Sequence, residues 1–345
     1  MRAERCVHGH IAQARCRACV DACPTGAWVI DDERLGIDPD RCDGCDLCVP
    51  ACPETALVQR FRPVVRKTRF GTLAFAACDR AGIQGTCAPL MPCLNSLGIK
   101  DFLLLARNGI DCLIGATGDC SRCPRNHGEG FPERLAEVNR LLAAHELPFL
   151  NHQVLAAARW ERSWRDADDP GNRRPVDRRA FFTSIFEGPL RRVRESLDPP
   201  ESDEGAPGLL LPPPQPGEAV HLAPVIDAML CTGCDACLRI CPREALRLDI
   251  RDGRAQAFVI AAERCSGCGL CVDLCVTRAI RIQRGGLLPV TEIPLWEQRC
   301  GSCGVTFHLP RAEGPMMGKT RPSPPSLCPI CFRVDHQRRL FQVLD

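Results

Sequence analysis

Cysteine is the residue type in this sequence whose number and spacing point most directly to chemistry, since 26 of the 345 residues are cysteines. Most of them stand two or three residues apart in groups of four. Such groups gather thiolates around one point, whereas disulfide frameworks of this density belong to much smaller secreted domains. The first residues contain no apolar signal segment. We therefore expect metal-binding thiolates in a protein of the reducing cytoplasm.

The most regular pattern lies in the last third of the chain, where two runs share the spacing C-x2-C-x2-C-x3-C. The first run ends with Pro242, and the second has Val276 at that place. Three thiolates on one tight loop can bind three irons of a cubane, and the fourth cysteine begins a short helix. Zinc sites are the alternative, although zinc does not need this spacing. The cysteines are Cys231, Cys234, Cys237 and Cys241, then Cys265, Cys268, Cys271 and Cys275.

Together the two runs resemble a bacterial-type ferredoxin with two [4Fe–4S] clusters, over about residues 222–285. In such ferredoxins the fourth cysteine of each run binds the cluster of the other run. The resemblance therefore implies two crossed ligand sets. They are Cys231, Cys234, Cys237 with Cys275, and Cys265, Cys268, Cys271 with Cys241.

The N-terminal region repeats this pattern with one departure. Cys42, Cys45, Cys48 and Cys52, followed by Pro53, match the spacing fully, but the run before them has Gln13 where its first cysteine should stand. The same resemblance implies two further [4Fe–4S] clusters. Their ligand sets are Cys42, Cys45, Cys48 with Cys23, and Cys6, Cys16, Cys19 with Cys52.

Cys6 can complete the last set only through an enlarged loop, which costs little chain entropy. A three-iron cluster, or ligation by His8 or His10, is the alternative, and the simplest interpretation leaves both histidines in solvent. Alternating residues after the four runs predict half-buried strands. These strands cover residues 26–31, 56–59, 245–250 and 279–282.

Residues 70–150 have a different character. Short apolar stretches at 73–77, before Cys93 and at 111–116 alternate with helical patterns, which predicts a small parallel α/β domain. Asn95 or Ser96 could cap the first helix, and Pro132 opens the second. Four cysteines follow the carboxyl ends of these strands, where open α/β sheets bind ligands. They are Cys78, Cys93, Cys120 and Cys123.

This convergence predicts a fifth metal centre, which we interpret as [2Fe–2S]. Cys87 could replace one of the four, whereas Cys112 begins a strand and suits core packing. Pro92-Cys93-Leu94 and the segment 115–120 resemble the iron–sulfur delta subunit of hydrogenase and heterodisulfide reductase systems. That resemblance implies electron transfer through a [2Fe–2S] cluster, and a structural or vestigial site is the alternative.

Two further CxxC pairs lie near the C-terminus, Cys300 with Cys303 and Cys328 with Cys331. They resemble a zinc ribbon with a long insertion. Four thiolates with no open position form a closed structural zinc site. Rubredoxin-like iron is the alternative, because sulfur ligands alone do not select the metal.

These segments predict an α+β multi-domain chain with two ferredoxin-like 2[4Fe–4S] modules, a small parallel α/β domain between them and a zinc-ribbon-like end. The stretch before the second module is rich in proline and charge and predicts a linker with one helix at 177–196. The expected segments are 1–65, 66–155, 156–221 (the linker), 222–290 and 291–345.

The net charge of +2 gives no electrostatic reason to expect a nucleic-acid partner, and no apolar run is long enough to span a membrane. No glycine-rich nucleotide loop or catalytic triad is visible in the sequence. We therefore expect a cytoplasmic electron carrier without its own substrate site. It would serve a hydrogenase, heterodisulfide reductase or formate dehydrogenase-type partner. A maturation factor for a molybdenum or iron–sulfur enzyme is the alternative, and a reductase acting at the middle cluster is a third possibility.

Overall fold

The computed structural model describes residues 1–30, 35–68, 71–84, 88–167, 205–311 and 326–340. The chain divides into two compact units. The first contains Met1–Cys6 and Arg17–Leu211, and the second contains Val7–Cys16 and Pro212–Asp345. Cys87 and the helix predicted at 177–196 lie outside the described residues.

The first unit begins with short elements that carry the N-terminal cysteines. Strands β1 and β2 form an antiparallel hairpin in which Trp28 pairs with Ile37. The strand predicted at 56–59 is not formed; only the Arg2 N–H reaches the Ala56 carbonyl, at 2.7 Å. The chain turns away directly after Arg2, because Ala3–Arg5 form a 3-10 helix. The elements are α1 (Ala18–Asp21), β1 (Trp28–Ile30), β2 (Leu35–Ile37) and α2 (Cys48–Ala51).

A five-stranded sheet forms the centre of the first unit; it contains the three strands predicted within residues 70–150 and adds β3 and β7, which were not predicted. The strand order is β3-β4-β6-β7, and β5 pairs with the end of β4. Only β3 is antiparallel to its neighbour, and the other pairs are parallel. The strands are β3 (Val64–Thr68), β4 (Gly71–Cys78), β5 (Leu90–Met91), β6 (Cys112–Ala116) and β7 (Asn151–Val154).

Two helices, α3 (Ile99–Arg107) and α4 (Phe131–Ala144), pack on one face of this sheet. The first begins after Gly98, whose N–H donates to the Asp101 carboxylate at 2.8 Å. The predicted caps Asn95 and Ser96 lie instead in a short 3-10 turn just before it. Alternation along β4 brings Ala74, Ala76 and Cys78 to this helical face.

The opposite face is covered by α5 (Ala157–Asp166). Trp160 is fully buried there, and its indole N–H donates to the Ile114 carbonyl at 2.9 Å. This helix lies where a linker was predicted to begin at residue 156. Its composition is highly charged, but Trp160 and Trp164 are four residues apart and form one apolar stripe against the sheet.

Replacing Trp160 with alanine should lower the free energy of unfolding by about 3–5 kcal/mol, because it leaves a large cavity between helix and sheet. The Ile114 carbonyl would also lose its donor. Arg162→Ala on the exposed side of the same helix is the matched control, with an expected change within about 0.5 kcal/mol. Chemical denaturation followed by circular dichroism measures both. Equal stability of the two variants would contradict the packing of α5.

The second unit combines a ferredoxin-like part with the C-terminal CxxC pairs. Strands β8 and β11 pair antiparallel, with Ile226 opposite Ile280. A four-stranded sheet of order β13-β12-β10-β9 runs across residue 290, where the sequence suggested a boundary. The elements are β8 (Leu222–Ile226), α6 (Ala236–Ile240), β9 (Leu246–Arg251), β10 (Arg254–Ile260), α7 (Leu270–Leu274), β11 (Ile280–Arg284), β12 (Glu292–Arg299), β13 (Thr306–Pro310) and α8 (Pro329–Leu340).

The strands predicted at 245–250 and 279–282 are present as β9 and β11. The β9–β10 hairpin turns at Asp252 and Gly253, whose φ angles of 50° and 73° suit a two-residue Asp-Gly turn. Among the described residues, no helix has the length and apolar character needed to cross a bilayer.

Candidate metal centres

Three of the four cysteine runs share one loop conformation. The glycine before the second cysteine has a φ of 68° at Gly44, 68° at Gly233 and 75° at Gly267. The residue after the second cysteine is also left-handed in all three, with φ of 59° at Asp46, 59° at Asp235 and 83° at Gly269. A left-handed residue on each side of the middle cysteine curls the backbone tightly. The three cysteines of each run therefore lie on one compact loop.

The segment after the fourth cysteine is also repeated. The third residue beyond it is left-handed in every run, with φ between 51° and 60°, at Gly26, Thr55, Glu244 and Arg278. In three runs the next N–H then donates to the cysteine sulfur. These bonds are Ala27 to Cys23 at 3.3 Å, Ala245 to Cys241 at 3.3 Å and Ala279 to Cys275 at 3.2 Å. N–H donors directed at sulfur stabilise a thiolate and the cluster it binds.

In the second unit, the fourth cysteine of each run lies near cysteines of the other run. Burial raises the pKa of Cys237 to about 12, and the neighbouring thiols that raise it further include Cys275. Burial also raises the pKa of Cys271, with a contribution from Cys241. A small cavity is lined by Cys241, Cys265, Cys268 and Cys271 together. This crossing is the arrangement that the predicted ligand sets require.

The raised pKa values keep these thiols protonated in the absence of a metal. Crowding and burial disfavour several thiolate charges in one place, whereas bound iron favours them and displaces the protons. Four sulfur donors on tight loops, with N–H groups directed at sulfur, form a donor set that fits a cubane.

The N-terminal run is arranged similarly around Cys48. Burial raises the pKa of Cys48 to about 11, and Cys23 contributes to this shift. Burial likewise raises the pKa of Cys45 to about 12, and Cys48 contributes there. Cys42 lies on the same loop and is exposed. The structure thus brings Cys23, Cys45 and Cys48 together.

The incomplete first run differs in its backbone. Arg17, which follows Cys16, has a φ of −124° instead of the left-handed value of the other loops. His8 Nε2 lies 2.8 Å from the Cys16 carbonyl oxygen, and His10 is exposed. Of the remaining predicted ligands, Cys6, Cys19 and Cys52 belong to the first unit and Cys16 to the second. This ligand set stays a prediction.

The four middle cysteines converge on one cavity of about 550 Å³ at the carboxyl end of the parallel sheet. Cys78 ends β4, Cys93 follows β5, and Cys120 and Cys123 lie in the turn after β6. Burial raises the pKa of Cys93 to about 11, and Cys78, Cys123 and Cys120 all add to it. Cys112 lies at the other end of β6 and packs with the Trp160 cluster.

Arg80 supplies donors to this cysteine group. Its backbone N–H donates to the Cys78 sulfur at 3.5 Å, and its guanidinium donates to the Cys123 sulfur at 3.7 Å. Gly118 lies directly against the Arg80 carbonyl, where any side chain would collide with it. Sequence reasoning missed Arg80, although its place two residues after a strand-ending cysteine was a usable signal. Four sulfur donors with a nearby cation fit a negatively charged [2Fe–2S] centre.

The C-terminal cysteines form a tighter group than any other found among the described residues. The sulfurs of Cys300, Cys303, Cys328 and Cys331 all lie within 4.8 Å of one another. The Cys303 and Cys328 sulfurs are 3.8 Å apart. A tetrahedral site with metal–sulfur bonds of about 2.3 Å requires sulfurs about 3.8 Å apart. The spacing therefore fits a single ion.

Local hydrogen bonds shift the pKa values of these thiols in opposite directions. The N–H groups of Cys303 and Cys328 lower the pKa of Cys300 to about 6. Thiol hydrogen bonds with Cys303 and Cys328 raise the pKa of Cys331 to about 12. The β12–β13 hairpin holds the first pair, because the Cys300 N–H donates to the Val305 carbonyl at 2.8 Å.

Comparison with known proteins supports the ferredoxin resemblance of the two regions that carry the four cysteine runs. Residues 2–56 and 230–279 match the family model described as a 4Fe-4S dicluster domain. The matched segments include three complete cysteine runs and the incomplete one.

Several curated proteins are similar over short stretches. A probable iron-sulfur protein of the Frd operon of Proteus vulgaris is 41% identical over 67 residues, covering 18% of this chain and 43% of that protein. An iron-sulfur protein of Rhodospirillum rubrum is 35% identical over 86 residues, covering 24% and 41%. The electron transport protein HydN of Escherichia coli K12 is 41% identical over 61 residues, covering 16% and 35%. The chain thus spans less than half the length of each. Residues 2–56 and 230–279 are thus ferredoxin-like, with cysteines that support [4Fe–4S] clusters.

Proposed function

We propose that this protein transfers single electrons between iron–sulfur clusters and a partner oxidoreductase. The observation that carries the proposal lies in a segment similar to a 4Fe-4S dicluster domain, where Cys241 of one run lines a cavity together with Cys265, Cys268 and Cys271 of the other. One of the similar proteins, HydN, is an electron transport protein. Repetition of the dicluster match at both ends favours a relay of several clusters.

The proposed ligand sets follow the sequence prediction. Four [4Fe–4S] clusters would be bound by the four cysteine runs, and a [2Fe–2S] cluster would occupy the middle cavity. The sets are Cys23, Cys42, Cys45, Cys48; Cys6, Cys16, Cys19, Cys52; Cys231, Cys234, Cys237, Cys275; Cys241, Cys265, Cys268, Cys271; and Cys78, Cys93, Cys120, Cys123.

In this function the clusters supply the one-electron chemistry, and the polypeptide fixes their positions and potentials. N–H donors at Cys23, Cys241 and Cys275 stabilise charge on sulfur and so favour the reduced, more negative cluster. Burial of other ligands opposes this by limiting solvation. Exposed ligands such as Cys42, Cys120 and Cys234 offer edges where a partner could exchange electrons.

The C-terminal cysteines are proposed to hold one structural metal, zinc or rubredoxin-like iron, because their spacing suits a closed tetrahedral site. A hydrogenase, heterodisulfide reductase or formate dehydrogenase-type enzyme in the cytoplasm is the proposed partner. The middle-domain resemblance at Pro92–Leu94 and residues 115–120 favours this group.

Anaerobic metal analysis combined with a redox titration tests the proposal. Four cubanes and one [2Fe–2S] cluster predict about 18 iron atoms per chain. All clusters should be reduced reversibly by a low-potential donor. Clusters that resist reduction while the protein binds a cofactor-free molybdenum or iron–sulfur enzyme would favour the maturation factor instead. A preparation that contains only zinc would refute electron transfer.

The middle centre has its own test, with a matched control in the same sheet. Cys93→Ala should remove about two iron atoms and the [2Fe–2S] spectrum, because it deletes a buried ligand. Cys112→Ala, which changes a cysteine at the far end of β6, should leave the iron content unchanged. Iron analysis and electron paramagnetic resonance measure both. Equal iron in the two variants would rule out the middle cluster.

A further inference from the structure

Arg125 is one of the few charged residues buried in the described part of the first unit, with only 8% of its surface exposed. Its Nε donates to the Asp43 carboxylate at 2.7 Å. One terminal nitrogen donates to the Asp79 carboxylate at 2.9 and 3.1 Å and to the Pro92 carbonyl at 2.7 Å. The other donates to the Asp43 carbonyl at 3.3 Å. One guanidinium therefore joins three separate segments of the chain.

Each of these segments carries a proposed cluster ligand. Asp43 lies between Cys42 and Cys45 in the N-terminal cluster loop, whereas Asp79 directly follows Cys78. The other two segments also carry ligands of the middle centre. Pro92 directly precedes Cys93, and Arg125 itself stands two residues after Cys123. Arg125 thus links the loop of one proposed centre to three ligand segments of another.

The electrostatics favour a permanent link. Burial alone would raise the pKa of Asp43, but the Arg125 hydrogen bond and charge hold it below its ordinary value. Burial would lower the pKa of Arg125, but Asp43 and Asp79 together raise it. A planar guanidinium can donate to several acceptors at once in fixed directions, which a lysine ammonium cannot do.

Apolar and polar contacts extend the same junction. Cys45, Leu47 and Cys93 form one buried cluster, so a ligand of the N-terminal centre lies beside a ligand of the middle centre. Pro50 of α2 packs closely on Gly98, at the start of α3. The Gln59 amide donates to the Ser96 hydroxyl at 3.0 Å. The N-terminal cluster loop and the middle α/β domain are therefore docked within the first unit.

We propose that Arg125 is the positioning residue that holds the cluster of Cys23, Cys42, Cys45 and Cys48 beside the middle centre, so that the two form a direct electron-transfer pair. This inference rests on the proposed function. With both clusters bound, the reduced [4Fe–4S] cluster on Cys23, Cys42, Cys45 and Cys48 would give one electron to the oxidised [2Fe–2S] cluster on Cys78, Cys93, Cys120 and Cys123. A low-potential one-electron donor supplies the electron to the first cluster.

The test compares full-length, iron-loaded wild type with Arg125→Met, Arg125→Lys and the control Arg140→Met. Arg140 is an exposed arginine on α4 of the same unit. Three measurements are made: iron content, hydrogen exchange of residues 43–47 and 92–96, and paramagnetic resonance of the dithionite-reduced protein. The last detects magnetic coupling between two reduced clusters that lie close together.

Arg125→Met should retain its iron, lose the coupling signal and show exchange at residues 43–47 about tenfold faster or more, the change expected for one lost charged hydrogen bond. Arg125→Lys should lie between this variant and wild type, since lysine keeps the charge without the fork. Arg140→Met should match wild type. If Arg125→Met does not bind iron, the coupling and hydrogen exchange of Arg125→Lys are compared with wild type instead.

The outcomes separate this inference from the proposed function. Wild-type protein without iron in the middle cavity would refute this inference but leave electron transfer through the [4Fe–4S] clusters, whereas wild-type protein without any iron would refute both. Two results would refute the role of Arg125 alone. The first is wild-type protein that holds iron at both centres but shows no magnetic coupling. The second is coupling and hydrogen exchange that stay unchanged in the Arg125 variants.

Discussion

Replacing Cys275 with alanine is expected to remove the cluster proposed on Cys231, Cys234 and Cys237, with the loss of about four iron atoms per chain. The cluster near Cys275 in sequence should survive. The reason is spatial, since Cys275 contributes to the raised pKa of Cys237. Its sulfur also accepts the Ala279 N–H at 3.2 Å, an interaction that suits a ligand thiolate. Iron analysis and the resonance signal of the surviving cluster measure the effect.

Cys241→Ala is the mirror-image control, because Cys241 lines the cavity of Cys265, Cys268 and Cys271. The crossed arrangement predicts that Cys275→Ala gives the same spectrum as Cys234→Ala, and that Cys241→Ala gives the same spectrum as Cys268→Ala. If each run bound its own cluster, Cys241→Ala would instead resemble Cys234→Ala. That result would overturn the proposed ligand sets.

Local features of this fold could be predicted from the sequence because their causes are local. The C-x2-C-x2-C spacing needs a tight loop, and a glycine before the second cysteine readily adopts a left-handed conformation. Gly44, Gly233 and Gly267 have this conformation. Apolar periodicity predicted β4 and β6 and therefore also the positions of their carboxyl ends. Cys78 and Cys120 lie at or just after these ends and line the same cavity.

Features that depend on distant partners could not be predicted in this way. Residues 56–59 have the alternation of a strand, but their one backbone contact with Arg2 is not extended, because Ala3–Arg5 form a 3-10 helix. Helix α5 was not predicted because its sequence is highly charged. Its packing depends on two tryptophans that contact one face of the sheet. Arg125 follows a cysteine motif like several other arginines, and only the fold shows that it meets Asp43, 82 positions away.

The cysteine group near the C-terminus should show the largest energetic effect of a single substitution. Cys328→Ala is expected to release about one metal ion per chain and to loosen residues 300–310 and 326–334, because structural zinc typically contributes about 10 kcal/mol or more to local folding. Cys328 is buried, and its N–H donates to the Cys300 sulfur at 3.3 Å, so the substitution breaks the group at its centre. Zinc and iron analysis with hydrogen exchange measure the effect.

Val305→Ala provides the control, since Val305 lies beside the same CxxC pair with 51% of its surface exposed, and its contact with Cys300 is through the backbone carbonyl, which the substitution keeps. It should leave metal content and exchange unchanged. Because β12 also pairs with β10, loosening should stop at the β12–β13 hairpin and spare the iron bound by residues 231–275. Loss of cubane iron together with the single ion would mean that the ribbon-like hairpin supports the ferredoxin-like part through their shared sheet. Retention of the ion in Cys328→Ala would exclude the four-sulfur site.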